Sequence, residues 1–196
     1  GDMFFINQKQ SVGVANKIIE SVLRFLDLGY DISDMLVLSP MKKGNIGTIE
    51  LNKRLQEILN PKDDSKKEVK HGEKTYRVGD KIMQTINRPD KGIFNGDIGI
   101  ITDIGKEKIE HENGKVVEVD TIYSDFQGVK VKHHREEWTD LELGYSISIH
   151  KSQGGQASIV IMPISTSHYK MLARNLLYTG MTRAEEKLVL IGQQQA

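Results

Sequence analysis

What most constrains this chain is a change of rhythm in its middle. Up to Pro61, apolar runs alternate with amphipathic stretches. "MFFI" (3–6) is short and apolar, as a buried strand would be. From Ser11, a capping residue, the apolar positions Ala15, Ile18, Ile19, Val22, Leu23 and Leu26 recur at helical spacing, and Gly29 stands where a left-handed stop belongs. "MLVLSP" (35–40) reads as a second buried strand and "MKKGNIG" as a glycine-rich turn. "TIELNKRLQEILNP" then reads as a helix with Leu51, Leu55, Ile58 and Leu59 on one face, ended by Asn60-Pro61. From Tyr76 to Trp138 this rhythm is gone. "YRVGDKIMQTI", "GDIGIITDI", "KVVEVDTIY" and "GVKVKHHREEW" are short β-type runs separated by Gly, Asn and Asp. After Trp138 the first rhythm returns: "SIVIMPI" (158–164) as a buried strand, "YKMLARNLLYTGMTRAEE" as a helix with Leu172, Leu176 and Leu177 inward, and "KLVLIG" as a closing strand.

Strand and helix in alternation predict an α/β layer, a parallel sheet with helices on both faces. The central run predicts a small antiparallel all-β barrel inserted into it. The division expected is 1–72 and 141–196 for the α/β domain and 73–140 for the insert, with the charged stretch "KDDSKKEVKHGEK" (62–74) as an exposed linker. "YSISIHKS" fits two readings, because Tyr145, Ile147 and Ile149 alternate as in a strand while Ser148 and Ser152 are one helical turn apart.

Charge narrows the function classes. The 27 basic and 27 acidic residues balance, so no global field advertises a nucleic-acid binder. Within the chain, residues 73–140 carry 11 Lys/Arg against 14 Asp/Glu and residues 150–196 carry 5 against 2, which makes the last segment the better place to meet an anion. The absence of cysteine excludes disulfides, zinc–thiolate clusters and a thiol nucleophile. No apolar run approaches 18 residues and no signal peptide is evident, so a cytoplasmic protein without membrane association is expected. Gly1 ahead of an internal-looking "DMFFI" reads as the remnant of a removed tag, and the chain as a domain cut from a longer protein.

The stretch richest in phosphate-binding chemistry is "SISIHKSQGG" (146–155), followed by Gln156. It is not a G-x-x-x-x-G-K-[ST] loop, since the residue before Lys151-Ser152 is His150 rather than glycine. No acidic pair at the end of a buried strand offers itself to magnesium. Three stretches nevertheless form a set: "LSPMKKGNIGTIELNKRLQEILNP" (38–61), "YSISIHKSQGGQASIVIMP" (145–163) and "RNLLYTGMTRAEEKLVLIG" (174–192). In order and spacing they resemble the fourth, fifth and sixth motifs of the RecD/TraA family of superfamily-one DNA helicases, of the exodeoxyribonuclease V alpha-chain type. "YRVGDKIMQTINRPDKGIFNGDIGII" resembles the start of the Src-homology-type barrel inserted in the second motor domain of those enzymes.

The resemblance implies a RecA-like, P-loop-NTPase-type sheet, and a C-terminal motor domain without the Walker A loop. It also implies an ATP-dependent 5′–3′ DNA helicase as the parent, with ATP and Mg2+ held mainly by the missing first RecA-like domain, and single-stranded DNA as partner. By the same resemblance Arg183 is an arginine finger that reaches the γ-phosphate; taken on its own, it could equally be a surface arginine paired with Glu185 or Glu186. His150 and Ser152, with Ser148, fall near the DNA backbone, whereas a lone histidine there could be a satisfied buried one. Gln153, Gly154 and Gln156 fall on the nucleotide side of the loop. The family's commoner pattern is "HKSQGSE", and here Gly155-Gln156 replaces Ser-Glu, so a neutral amide stands where a carboxylate is usual. Lys43, with Lys42, offers a cation to DNA or nucleotide phosphates, or is simply solvated. Asn52 and Gln56, one turn apart, read as structural polar contacts. In the barrel Tyr76, Phe94, Tyr123, Phe126 and Trp138 are either base-stacking platforms or core, and Arg88 and Lys91 are the charges to test for strand contact. The barrel is also a place where protein partners could dock. Two other readings stay open: a non-catalytic DNA-binding or recruitment module worked by the barrel, and the helicase part of a conjugative relaxase.

Overall fold

The computed structural model describes residues 1–110, 114–152, 156–164 and 170–193. In chain order the first elements are strand β1 (Asp2–Asn7), helix α1 (Ser11–Asp27), β2 (Met35–Ser39) and α2 (Thr48–Leu59). Seven strands of the middle region follow: β3 (Glu68–His71), β4 (Lys74–Arg77), β5 (Lys81–Gln84), β6 (Ile98–Glu110), β7 (Val116–Phe126), β8 (Val129–His134) and β9 (Leu141–Leu143). The chain then adds β10 (Ser146–Ser148), β11 (Ala157–Ile164), α3 (Lys170–Arg183) and β12 (Ala184–Gly192). These elements form two compact units, Gly1–Leu55 with Tyr145–Ala196, and Gln56–Gly144.

The first unit is the expected parallel sheet, in the order β1-β12-β11-β2-β10. Passing from β1 to β2 and on to β10, the chain crosses the sheet one way; from β11 to β12 it returns. Right-handed crossovers therefore lay α1 and α2 over one face and α3 over the other. Arg54 Nη2 of α2 accordingly donates to Asn16 Oδ1 of α1 at 2.8 Å. Helix α1 buries Ala15, Ile18, Ile19 and Val22 as the spacing predicts, together with Val14 and Phe25, while Leu23 stays exposed. Phe25 wins its place through Tyr30, whose ring meets it edge-on at 5.8 Å. The helix stops at Gly29, whose φ of 91° is left-handed and whose N–H donates to Leu26 O.

Strand β1 forms where "MFFI" predicts it but is not buried: Met3 is 62% exposed, Phe4 46% and Phe5 41%. It is an edge strand paired only with β12 among the described residues. In α2 the buried face holds Leu51 and Leu55 as expected, but Ile58 is exposed, and the amides Asn52 and Gln56, with Asn60 just past the helix end, are buried in its stead. Those three positions lie four apart on one helical stripe.

The second unit is all-β apart from the last turn of α2 and short 3-10 turns. Its five-stranded antiparallel sheet runs β8-β7-β6-β5-β9, and a separate hairpin pairs β3 with β4. The sheet closes around Tyr76, Ile82, Ile101, Ile122, Trp138 and Leu141. The indole Nε1 of Trp138 donates to His133 O at 2.9 Å. The charged stretch expected as a linker is in part strand β3, because Glu68 pairs in register with Arg77 and meets its Nε at 3.0 Å. The unit begins within α2, at Gln56, rather than at residue 73. The reason is Asp80, fully buried, whose carboxylate accepts from Gln56 Nε2 (2.6 Å), Asn60 Nδ2 (2.8 Å) and Arg77 N (2.7 Å). A buried carboxylate is tolerable only with such a set of donors.

Candidate functional site

At the carboxyl edge of the parallel sheet, β2 and β10 lie side by side with Ser39 level with Ser148. Ser39 is fully buried and organises the turn after β2. Its hydroxyl accepts from Met41 N (3.2 Å) and shares its proton between Ile46 O (2.5 Å) and Met41 O (2.9 Å). Thr48 N and Ile49 N donate back to Met41 O and Lys42 O, which draws the turn tight against the start of α2. Gly47 is required there, since a Cβ would lie 2.5 Å from the Lys43 carbonyl carbon. Lys42 and Lys43 stand exposed on this turn.

The neighbouring segment resolves the double periodicity of "YSISIHKS": it is strand over Ser146–Ser148 and 3-10 helix over Ile149–Ser152. Ile147 and Ile149 are buried, Ser148 is half-buried and His150 is exposed. His150 is thus not a buried structural histidine. The backbone of Ser152 closes the 3-10 turn; its side chain, and Gln153 and Gly154 entirely, lie outside the described residues.

Arg183 and Gln156 sit at the opposite edge. Ala157 opens β11 and Ala184 opens β12, and the two are register partners, so the residues just before them, Gln156 and Arg183, both enter at the amino edge. Gln156 is exposed and Arg183 half-buried. Helix α3 can approach β11 because residue 180 is glycine; a Cβ there would lie 2.5 Å from Met162 Sδ. In β12, Glu186 accepts from the Tyr30 hydroxyl at 2.9 Å. The Lys187 ammonium donates to the Tyr30 hydroxyl at 2.7 Å, a contact that holds its pKa above the ordinary lysine value. The candidate residues therefore fall into two groups: Lys43, Ser148 and His150 at the carboxyl edge, Gln156 and Arg183 at the amino edge. Residues 149–156 connect the groups.

The barrel's candidates are committed elsewhere. Arg88 forms ion pairs with Asp90 (3.2 Å), Glu137 (2.5 Å) and Asp140 (3.5 Å), and Lys91 binds both Glu137 oxygens at 2.6 and 2.7 Å. Burial acts to raise the Glu137 carboxyl, but Lys91 and the His134 N–H hold it below its ordinary value. Tyr76, Phe126 and Trp138 are core, and burial pushes the Tyr76 phenol well up. Lys132 covers the Tyr123 ring at 5.9 Å, and Phe94 remains half exposed. His133 is buried between Gln84 Oε1 (3.1 Å) and Ser124 Oγ (3.4 Å), and burial, aided by Lys91, pushes it down to about 4. Among the described residues no three His, Asp or Glu side chains gather as a metal cage, and no helix is long and apolar enough to cross a membrane.

Sequence reasoning gave Asn52 no more than a structural role, and its contact is specific. Its Nδ2 donates to Ser146 O and its Oδ1 accepts from Ser146 N, both at 2.7 Å. The available signal was the repeat of amides at 52, 56 and 60 on the buried stripe of a helix.

Comparison with known proteins fits both units. Residues 51–120 match the family described as ATP-dependent RecD-like DNA helicase SH3 domain, and residues 143–191 match the UvrD-like helicase C-terminal domain. The chain is 34% identical over 160 residues to the ATP-dependent RecD2 DNA helicase of Deinococcus radiodurans, covering 82% of this chain and 20% of that protein. It is 27% identical over 158 residues to the RecBCD enzyme subunit RecD of Haemophilus influenzae, covering 81% of this chain and 21% of the other. The chain thus spans about a fifth of the length of these relatives. A crystal structure of Pif1 helicase from Candida albicans superposes with a TM-score of 0.48 at 14% identity, over 92% of this chain and 53% of that one, too loosely to argue from. Two helicase family models are thus matched in chain order and RecD-type helicases align over four-fifths of the chain, so its similarity to the RecD-like DNA helicases spans both units.

Proposed function

We propose that this chain is the second motor domain, Gly1–Leu55 with Tyr145–Ala196, with its barrel insert at Gln56–Gly144, of a cytoplasmic ATP-dependent 5′–3′ DNA helicase. The observation that carries the reading is the division of the candidate residues between the two edges of one sheet. At the carboxyl edge, exposed His150 with Ser148 and Lys43 presents donors suited to DNA phosphates, contacts that carry no sequence information. At the amino edge, Arg183 has the guanidinium that suits phosphate oxygens and Gln156 an amide that suits a ribose hydroxyl. ATP with Mg2+, bound chiefly by the first RecA-like domain of the parent, supplies the free energy of hydrolysis. Arg183 offsets charge developing at the γ-phosphate, Gln153, Gly154 and Gln156 flank the nucleotide, and Ser148, Ser152 and His150 keep one grip on the strand. The connecting segment 149–156 gives the two events a short covalent link.

The sequence holds no Walker A loop, so the chain by itself is expected to turn over no ATP, while the intact parent does so in a DNA-stimulated way. A phosphate-release assay on both proteins decides it; robust hydrolysis by the 196 residues alone would sink the proposal.

A further inference from the structure

Among the described residues the edge strand β10 has one strand neighbour, β2. On its open side the backbone of Ser146 is occupied by the side chain of Asn52, whose carboxamide accepts from Ser146 N and donates to Ser146 O, each at 2.7 Å. A primary amide has a donor and an acceptor spaced like those of a peptide group, so Asn52 pairs with Ser146 as a one-residue neighbouring strand would. Asn52 is 7% exposed and Ser146 1%, so the pair exchanges little with water. Ser146 lies two residues before Ser148 and four before His150. Asn52 lies in the second turn of α2, directly after the turn that carries Lys43 and is tied down by Ser39.

We infer that Asn52 is a positioning residue for strand binding: its amide clasp on Ser146 fixes β10 so that Ser148 and His150 are held in register with Lys43 at one edge of the sheet. The inference rests on the reading of that edge as the DNA grip. Without the clasp, the open side of a three-residue strand keeps an unpaired N–H and C=O where water has little access, and a shift of β10 that relieves them moves His150 with it.

The test is a thermodynamic cycle in the intact parent protein, read by fluorescence anisotropy of a labelled oligothymidylate, with circular dichroism melts to verify folding. Asn52→Asp is nearly isosteric and still accepts from Ser146 N, but it turns a carboxylate oxygen towards Ser146 O. Asn52→Asp and His150→Ala are each expected to weaken binding about ten-fold. The double variant is expected to bind no more weakly than the weaker single, since both losses remove the same contact. Asn52→Asp that leaves affinity unchanged while His150→Ala lowers it, or whose loss adds in full to that of His150→Ala, overturns the positioning role. His150→Ala without effect instead overturns the DNA reading of the edge. If Asn52→Asp does not fold, Asn52→Ala, which deletes the clasp without a charge, enters the same cycle under the same criteria.

Discussion

The two units differ in where their candidate cations and aromatics stand. In the barrel, Arg77, Arg88 and Lys91 all meet carboxylates, and the large aromatics Tyr76, Phe126 and Trp138 are consumed by the core. In the parallel unit, Lys43 and His150 are exposed at the ends of strands and Arg183 stands half-buried where α3 meets β12. The contrast teaches that a count of cations or aromatics says little about binding until their partners are known. The barrel holds more than twice as many Lys and Arg between residues 73 and 140 as the chain does from 150 on, 11 against 5, and spends the central ones on itself.

Four measurements sharpen or break this contrast. The largest effect is expected for Arg183→Ala in the parent enzyme: turnover falls on the order of 10³-fold or more while ATP affinity holds. Steady-state hydrolysis together with nucleotide binding measures it, and unchanged turnover rules out the finger. Next comes Asp80→Ala, which strands Gln56, Asn60 and the Arg77 N–H around an empty place and should cost the barrel about 3–5 kcal/mol. The chain contains one tryptophan, Trp138 in the barrel core, so urea melts followed by its fluorescence report this unit directly.

The third effect is a pH dependence. In the unfolded chain His133 takes up a proton below its ordinary 6.5, whereas in the fold it does so only near 4. Over that window the unfolded state binds more protons, so stability rises with pH and is lost as pH falls from 6.5 towards 4, by roughly 3 kcal/mol. His133→Gln should flatten the Trp138-monitored urea midpoint across the window; an equally steep profile in the variant assigns the dependence elsewhere. The smallest effect is expected at Arg88 and Lys91. Because both are bound within the barrel, Arg88→Ala and Lys91→Ala should change oligothymidylate affinity by less than about two-fold while lowering barrel stability. A loss of affinity with stability intact would return the barrel to the list of DNA-binding surfaces.

Much of the fold is legible in the residues, because it is written in periodicity. The parallel unit follows from two apolar runs and two amphipathic stretches at the start of the chain and two apolar runs around one amphipathic stretch at its end, and the barrel from short β-type runs between Gly, Asn and Asp. What periodicity misses is set by partners distant in sequence. Nothing in "MFFI" says that β1 lies at an edge; only the threading of β11 and β12 between β1 and β2 puts it there. Nor does "EVKH" look like a strand until Glu68 meets Arg77. Ile58 loses the inner face of α2 to Gln56 and Asn60, since Asp80, two dozen residues on, needs donors more than the core needs another methyl. At the candidate site the residue types could be picked out from "HKSQGG" and "MTRAEE", but not their separation to two edges of one sheet, which is a property of strand direction.

The exposed β1 edge bears on how the chain behaves in a tube. An open strand carrying Met3, Phe4 and Phe5 at the surface is a template for the same strand of another molecule, and the formal net charge of zero provides no long-range repulsion to keep molecules apart. Colloidal stability of the chain should therefore depend on buffer pH and concentration more than on the thermodynamic stability of either unit. A charged residue at position 4, Phe4→Lys, is the substitution that should most improve solubility without touching either edge of the sheet where ligands are proposed to bind.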